Sequence, residues 1–255
     1  LPSNSNTNVY LTEFAIYGIV SSSGPEIVAS GECAANGSAE VTWLLSSDSI
    51  LTIGGSGRMA DYDEDSNIAP WYQYKDAYNS VYIAAGVTNV GDLAFRQSTN
   101  LRYVDLASTV TELGSYSFYS CPALHTFTLP DNVTTLGENS PFGGTTTMTS
   151  PVYNSHVFVC LNSDFTGEYT VSSGTTTVAS HAFRGCSMLT SVVLPSTVTS
   201  LPGSSTFENC PALASVNIPE GVTSLGEYAF SGCTSLVGID LPSTMSSLGS
   251  YCLAE

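Results

Sequence analysis

The fold is decided by residues 110–121, which read VTELGSYSFYSC, because they are one copy of a unit that recurs along the chain. Apolar residues follow at Leu124, Phe127 and Leu129, and Pro130 closes the unit. The same skeleton returns at residues 222–233 as VTSLGEYAFSGC, followed by Leu236, Ile239, Leu241 and Pro242. A fixed period in this range predicts a solenoid, a stack of coils in which no unit can bury its apolar face alone.

One phenylalanine per unit marks the register of the repeat. These residues are Phe95, Phe118, Phe142, Phe183, Phe207 and Phe230, and Leu253 occupies the next slot. The steps between them are 23, 24, 41, 24, 23 and 23 residues. The long step, from Phe142 to Phe183, predicts one repeat plus an irregular insertion of about 18 residues, placed at about 143–170.

Each unit predicts a short strand and a short helical piece. The pattern Leu-x-x-Val-x-Leu is typical of a strand that points its apolar residues inward, and the proline ends it. In Val-Thr-x-Leu-Gly we expect a turn whose glycine supplies a positive φ. Ala-Phe-x-x-Cys is typical of a single helical or 3₁₀ turn. The expected fold class is therefore α/β, a leucine-rich-repeat solenoid with one parallel β-sheet and short helical or 3₁₀ turns.

Three segments divide the chain. Residues 1–29 are rich in Ser and Asn and form an N-terminal segment, either a linker or the remnant of a preceding module; the apolar island at 10–17 is a strand or part of that remnant. Residues 30–80 predict a β-hairpin cap, because two apolar runs at 41–45 and 50–53 flank a Ser-rich turn. Trp43 and Trp71 are its large apolar groups, and residues 81–255 carry the leucine-rich repeats.

Charge and hydropathy exclude two classes of partner. Five basic residues stand against 22 acidic ones, giving a net charge of −17. Such a chain repels phosphate backbones and anionic lipid surfaces, so a nucleic-acid role is excluded. No apolar run reaches the roughly 18 residues of a membrane helix, so we expect no membrane insertion.

The seven cysteines do not predict a disulfide framework. Four of them follow a repeat Phe by three residues, namely Cys121, Cys186, Cys210 and Cys233. In stacked coils their Cα atoms lie about 4.8 Å apart, but parallel Cβ vectors hold the Cβ atoms wider apart than a disulfide prefers. We expect small, buried, free thiols that act as packing groups. Cys33, Cys160 and Cys252 lie outside this series, and the sequence leaves their redox state open.

The repeat resembles the BspA-type leucine-rich repeat family, whose unit reads VTxIGxxAFxxCxxLxxVxLP. The resemblance covers about residues 30–255 and includes Gly55-Ser56-Gly57, Pro70-Trp71-Tyr72 and the segments 157–160 and 166–171. It implies surface display and adhesion-like binding with varied ligands, and no cofactor. The chain departs from the pattern in three places: Ser98 replaces Cys in the first unit, Phe142 lacks its Ala and Cys partners, and Pro202-Gly203 adds one residue.

An acidic segment is the one motif with metal-ligand spacing. Its alternating oxygen donors are Asp61, Asp63, Asp65 and Asn67, a spacing that can wrap Ca²⁺. Yet Ser66 stands where a calcium loop has Gly, and Tyr72 where the bidentate Glu belongs. We therefore expect a mobile, solvated acidic loop rather than a tight metal site.

Motifs of catalysis are weak. Gly55-x-Gly57-x-x-Ala60 with Asp76 matches a dinucleotide fingerprint in form, but the acidic segment that follows is no amphipathic helix and would repel phosphate. The three histidines, His125, His156 and His181, share no ligand spacing. We expect that the protein is not an enzyme.

The strand pattern points to a binding surface instead. The third and fifth positions of each Leu-x-x-Val-x-Leu strand point away from the core. These outward residues are Tyr103 and Asp105, Thr126 and Thr128, Ser191 and Val193, Ser215 and Asn217, Gly238 and Asp240, with Tyr82 beside Asp105. Only the N-terminal end offers aromatic side chains.

We therefore expect a monomeric cell-surface or secreted binding module whose partner is a protein or a glycan. The contact would lie at Tyr82, Arg102, Tyr103 and Asp105. The alternative is a structural spacer or scaffold repeat within a longer surface protein. The expected location is extracellular or at the cell surface, with a signal sequence that is not part of these residues.

Overall fold

The structure, a computed structural model, describes residues 24–35, 40–143, 145, 147–199, 201 and 203–254. The apolar island at 10–17, most of the N-terminal segment and Pro202 lie outside the described residues. Successive coils stack along one axis, which confirms the predicted solenoid.

The described residues form sixteen strands and one 3₁₀ helix, Tyr72–Tyr74. The strands are β1 (Ile27–Glu32), β2 (Val41–Ser46), β3 (Ile50–Gly55), β4 (Ser80–Ile83), β5 (Asn89–Val90), β6 (Tyr103–Leu106), β7 (Glu112–Leu113), β8 (Thr135–Leu136), β9 (Val152–Tyr153), β10 (Val157–Cys160), β11 (Thr166–Thr170), β12 (Thr177–Val178), β13 (Met188–Val193), β14 (Ser215–Val216), β15 (Ser224–Leu225) and β16 (Ser247–Leu248).

The longer strands form two sheets on one side of the coils, which we call the sheet side. The first has the order β1-β2-β3-β4-β6, antiparallel up to β3 and parallel beyond it. The second is the parallel set β11-β13-β14. The expectation of one continuous sheet is therefore wrong. Residues 124–129 bury Leu124 and Phe127 without forming a strand, because the carbonyls of Leu124 and His125 accept hydrogen bonds from Thr147 and Thr149 instead.

A second, narrower ladder runs where the sequence predicted only turns. The two-residue strands β5, β7 and β8 pair in parallel, and β15 pairs with β16. The glycine that follows does not supply a positive φ, so that expectation is wrong. A Cβ on Gly91 would lie 1.9 Å from the Ala60 carbonyl, and one on Gly114 would lie 2.5 Å from the Asp92 nitrogen. The glycine permits close approach between coils, while the left-handed φ falls two residues later, at Leu93 and Tyr116.

On the opposite side, which we call the turn side, backbone groups bond from coil to coil. Leu93 and Gln97 have left-handed φ values, and this brings three N–H groups of one segment to face the next coil. The pairs in the first two units are Leu93 N to Ser115 O at 3.0 Å, Phe95 N to Ser117 O at 2.8 Å and Gln97 N to Tyr119 O at 2.7 Å. Because these N–H groups bond between coils, they cannot close α-helical turns. The α/β label is therefore wrong: the described residues contain no α-helix.

The core is a column of phenylalanine rings. Phe95 and Phe118 stack at 5.3 Å between centroids, and Phe183, Phe207 and Phe230 stack at 4.9 Å per step. Each such pair adds about 0.5–1.5 kcal/mol beyond its area burial. The insertion holds a further ring, because Phe158 of β10 stacks on Phe183 at 4.9 Å. The long step in the repeat thus contains an extra slot in the column, filled from a strand.

The cysteines after each repeat Phe lie in the same core. The Sγ atoms of Cys210 and Cys233 lie 2.9 and 3.0 Å from the carbonyl oxygens of Phe183 and Phe207, one coil back. Burial raises the pKa of the Cys121 and Cys186 thiols to about 12. All seven cysteines fall within the described residues, where none forms a disulfide.

The predicted hairpin corresponds to β2 and β3, and β3 extends the sheet to β4. Trp43 and Trp71 are buried, with ring centroids 6.0 Å apart, and Trp71 stacks on Phe95 at 5.4 Å. The capping role that we assign to the hairpin stays a prediction.

Candidate functional site

Adjacent parallel strands bring the predicted binding residues together on the sheet side. The register of β4 with β6 places Tyr82 beside Asp105 and Ser80 beside Tyr103. Val81 and Val104 turn into the core, so their neighbours face outward. The rings of Tyr82 and Tyr103 lie 6.0 Å apart at an angle of 52°, and Tyr103 is 48% exposed. We call Tyr82, Arg102, Tyr103 and Asp105 the tyrosine patch.

The patch is held by packing and surrounded by mixed charge. Partial burial, and then the neighbouring Tyr103, Asp105 and Asp48, raise the pKa of the Tyr82 phenol. The Tyr82 hydroxyl therefore stays protonated and can donate a hydrogen bond at neutral pH. Arg102 is exposed, and within the described part of the chain it forms no salt bridge. Its charge is therefore available to a partner.

The remaining outward positions carry small polar groups and two apolar ones. Thr126, Thr128, Ser215, Gly238 and Asp240 are exposed. Met188 and Val193 of β13 are 48% and 41% exposed. Sequence reasoning missed Met188 because β13 begins one residue before the Leu-x-x-Val-x-Leu pattern.

Asn217, expected to be an unconstrained outward residue, supports the backbone of the neighbouring coil. Its side-chain oxygen accepts from the Leu194 N–H at 2.7 Å, and its Nδ2 donates to the Leu194 carbonyl at 2.8 Å. A substitution here therefore changes the strand as well as the surface.

The acidic segment satisfies its own hydrogen bonds. Asp63 Oδ1 accepts from the backbone N–H groups of Asp65, Ser66 and Asn67 at 2.9, 2.6 and 2.9 Å, and Oδ2 accepts from the Ser66 hydroxyl at 2.6 Å. Asp61 Oδ1 accepts from Asp92 N at 3.1 Å. The Asn67 backbone N–H, and then Ser66, hold the pKa of Asp63 well below its usual range. The Asp63 carboxylate closes the loop without a metal.

Neither the calcium spacing nor the dinucleotide pattern assembles a site. Among the described residues, no group of three or more His, Cys, Asp or Glu is placed to hold a metal ion. Gly57 donates its N–H to the Gly86 carbonyl at 2.9 Å, and the first helical segment after β3 in the described residues is Tyr72–Tyr74. Gly57 therefore acts in contact between coils.

A cleft on the turn side was not foreseen from the sequence. It has a volume of about 200 Å³ and lies at the insertion, with Phe142, Leu161, His181 and Arg184 among its walls. Burial, and then the charge of Arg184, lower the pKa of His181, so the imidazole is neutral at neutral pH. No signal in the repeat pattern finds this cleft, because it depends on how the insertion packs.

No helix in the described ranges has the length and apolar character needed to cross a bilayer.

Comparisons with known proteins agree with the repeat geometry. A family model described as BspA type leucine rich repeat region matches residues 69–157 and 154–255, in six copies. No curated protein matches the chain.

Solved structures show the same architecture. The pneumococcal vaccine antigen PcpA is 14% identical, with a TM-score of 0.50, covering 86% of this chain and 78% of PcpA. A leucine rich cell surface protein from Faecalibacterium prausnitzii is 19% identical, with a TM-score of 0.46, covering 89% and 86%. A leucine-rich repeat protein from Eubacterium ventriosum is 20% identical, with a TM-score of 0.35, covering 89% and 95%.

Proposed function

The chain belongs to the BspA-type leucine-rich repeat family, and from that premise we propose that it is a cell-surface or secreted module that binds a protein or glycan through its tyrosine patch. The observation that carries the proposal is the pairing of Tyr82 and Tyr103 at outward positions of adjacent strands. Family and structural neighbours are repeat proteins, which agrees with a role in binding rather than catalysis.

The chemistry of the tyrosine patch suits recognition. Tyrosine buries much area at low entropic cost and offers a hydroxyl for a directed hydrogen bond. The backbone positions of Tyr82 and Tyr103 are fixed by the β4–β6 ladder, so little order is lost when a partner docks. The same rings stack on the faces of sugars, which keeps a glycan within the proposal.

The charge around the tyrosine patch favours a partner with basic character. Asp105 is in the patch and Asp48 lies close enough to act on the Tyr82 phenol. The net charge of −17 would steer a basic partner toward the protein. Arg102 then offers one contact for an acidic group of that partner.

A surface location supports this proposal. One structural neighbour is described as a cell surface protein and another as a vaccine antigen. We propose the same setting for this chain, as a monomer.

A spacer role is the second candidate, and the sheet side itself favours it beyond the tyrosine patch. The outward residues Thr126, Thr128 and Ser215 are small and polar, which suits a surface that supports other parts of a longer protein.

The test begins with the purified protein immobilised and exposed to a panel of matrix proteins and glycans. For any partner with saturable binding, Tyr103→Ala is compared with Ser215→Ala, an exposed outward position of the second sheet. We expect Tyr103→Ala to weaken binding by about tenfold or more, as loss of an anchor does, and Ser215→Ala to leave it unchanged. Asn217→Ala is unsuitable as the control because Asn217 binds the Leu194 backbone. Equal, negligible losses in both variants would remove the sheet-side model.

A further inference from the structure

The column of stacked rings breaks once, between Phe142 and Phe158. Phe142 stacks on Phe118 at 5.6 Å, and Phe158 stacks on Phe183 at 4.9 Å, but no ring contact joins Phe142 to Phe158 among the described residues. The buried apolar side chains divide at the same place into two clusters, with Phe142 in one and Phe158 in the other. The repeat architecture is therefore open at this point.

The backbone ladder of the turn side changes partner at the same break. Phe118 N donates to the Pro141 carbonyl at 2.8 Å, in the usual way between coils. The next ring residue, Phe142, instead donates its N–H to the Ser140 hydroxyl at 3.3 Å, within its own coil. Without that contact between coils, a gap stays open, and this gap is the cleft of about 200 Å³.

The walls of the cleft are apolar. Phe142, Met148 and Leu161 line it, and each of these side chains is otherwise buried. A small apolar group that enters the cleft would cover carbon surface that the next coil covers elsewhere in the array. The volume suits one compact group rather than an extended ligand.

Two cationic or hydrogen-bonding side chains also line the cleft. Arg184 gives its Nε to Glu208 Oε2 at 2.8 Å, which orients the guanidinium and leaves its two terminal nitrogens for another acceptor. Arg184 is the only Lys or Arg after residue 102. The Nδ1 atom of His181 is buried and has no hydrogen-bond partner among the described residues. A buried polar atom without a partner indicates a missing one.

We propose that this cleft binds a small carboxylic acid that carries one compact apolar group. The apolar group lies against Phe142, Met148 and Leu161, and the carboxylate accepts hydrogen bonds from the terminal nitrogens of Arg184 and from His181 Nδ1. The planar guanidinium matches a carboxylate in geometry and charge. A multiply charged anion is disfavoured by the acidic protein around the cleft. The carboxylate can come from a free organic acid or from the C-terminus of a peptide that ends in an apolar residue.

The test titrates the isotopically labelled protein with 3-phenylpropionate and follows amide chemical shifts by NMR. The neutral 3-phenylpropanamide, which has the same apolar group, is the matched ligand control. We expect saturable shifts at residues around the cleft with the acid and binding at least about tenfold weaker with the amide, since a charge-assisted contact is lost. A peptide ending in Phe, with a free or an amidated C-terminus, then distinguishes a peptide source from a free acid.

Two variants test the role of the guanidinium. Arg184→Gln removes the charge and should weaken binding of the acid about tenfold or more. Glu208→Gln breaks the same ion pair but keeps the guanidinium, and should bind the acid at least as tightly as the unmodified protein. Arg184 is 47% exposed, so both variants should fold, which thermal melting checks. The proposal is overturned if the unmodified protein shows no saturable shift, if acid and amide bind equally, or if Glu208→Gln loses as much affinity as Arg184→Gln.

Discussion

The indole Nε1 of Trp71 donates a hydrogen bond to the Ala94 carbonyl at 2.7 Å. In later coils the equivalent carbonyl accepts from the backbone N–H of the preceding repeat Phe, as Ser117 does from Phe95. Trp71 also stacks on Phe95 as a preceding phenylalanine would. A single side chain thus replaces both the ring and the donor of a coil at the N-terminal end of the column.

This relationship predicts a difference between the two tryptophans. Trp71→Phe leaves the buried Ala94 carbonyl without its donor, whereas the Trp43 Nε1 has no partner among the described residues. We expect Trp71→Phe to lower the free energy of unfolding by about 1–3 kcal/mol more than Trp43→Phe does. Denaturant titrations of the two variants measure the difference. Equal losses would show that the hydrogen bond to Ala94 adds no net stability.

The hairpin is predicted to cap the whole array rather than fold on its own. Trp43 is buried against Trp71, so Trp43→Ala should destabilise the entire solenoid by about 3–5 kcal/mol in one transition. Calorimetry with a probe in the C-terminal coils tests this. If the melting transition of those coils does not move, the hairpin is an independent appendage.

Close approach between coils predicts the effect of adding one carbon atom. In Gly114→Ala the new Cβ would lie 2.5 Å from the Asp92 nitrogen, which is backbone and cannot rotate away. We expect a loss of about 1–3 kcal/mol, as for other overpacked sites. Gly238→Ala is the matched control, because a Cβ added there would meet no atom within 4 Å. The two variants should separate clearly in thermal melts, and similar melting temperatures would contradict the stacking geometry.

The thiols of Cys186, Cys210 and Cys233 are predicted to be reduced and unreactive in the folded protein. Burial raises the pKa of Cys186 to about 12, so little thiolate exists at neutral pH. Alkylation should be slow in the native state and complete after denaturation, with the same yield with and without reductant. Detection of a Cys186–Cys210 or Cys210–Cys233 disulfide by mass spectrometry would overturn the packing interpretation.

The loop closed by Asp63 predicts a dependence of stability on acid pH. Its pKa in the folded state lies below the ordinary value of 3.8. The stabilising effect of the carboxylate is therefore fully present above about pH 3.8 and is lost as the pH falls through the lower, folded-state pKa. Melting temperatures measured between pH 6 and pH 2 should fall more steeply in the unmodified protein than in Asp63→Asn. Parallel curves would show that the loop does not couple to folding.

The sequence predicts the column of rings because its signal is local and repeated. Each Phe of the 23-residue period occupies the same place in its coil, so Phe183, Phe207 and Phe230 stack as the spacing requires. Alternation within a strand likewise predicts that Tyr103 and Asp105 face outward, and the β4–β6 register adds Tyr82.

The turn side could not be predicted in the same way, because its hydrogen bonds connect different coils. Ala-Phe-x-x-Cys favours a helical turn when considered alone, but Leu93 and Gln97 adopt left-handed φ values that their side chains do not signal. Phe158 lies in β10, outside any copy of the motif, so its place in the column follows only from packing. The cleft lined by Arg184 depends on that packing and shares its invisibility to sequence reasoning.

The hydrogen bonds of the turn side also give the array an electrical direction. The N–H groups of Leu93, Phe95 and Gln97 all point toward the following coil, and the same orientation recurs at Phe183, Phe207 and Phe230. Peptide dipoles of about 3.5 D that share one direction add, as they do in an α-helix, but here they add across coils. The carbonyl ends face the hairpin and the N–H ends face the later coils. The solenoid is therefore a polar rod, with a negative pole beside Trp71 and a dipole moment that grows with each further coil.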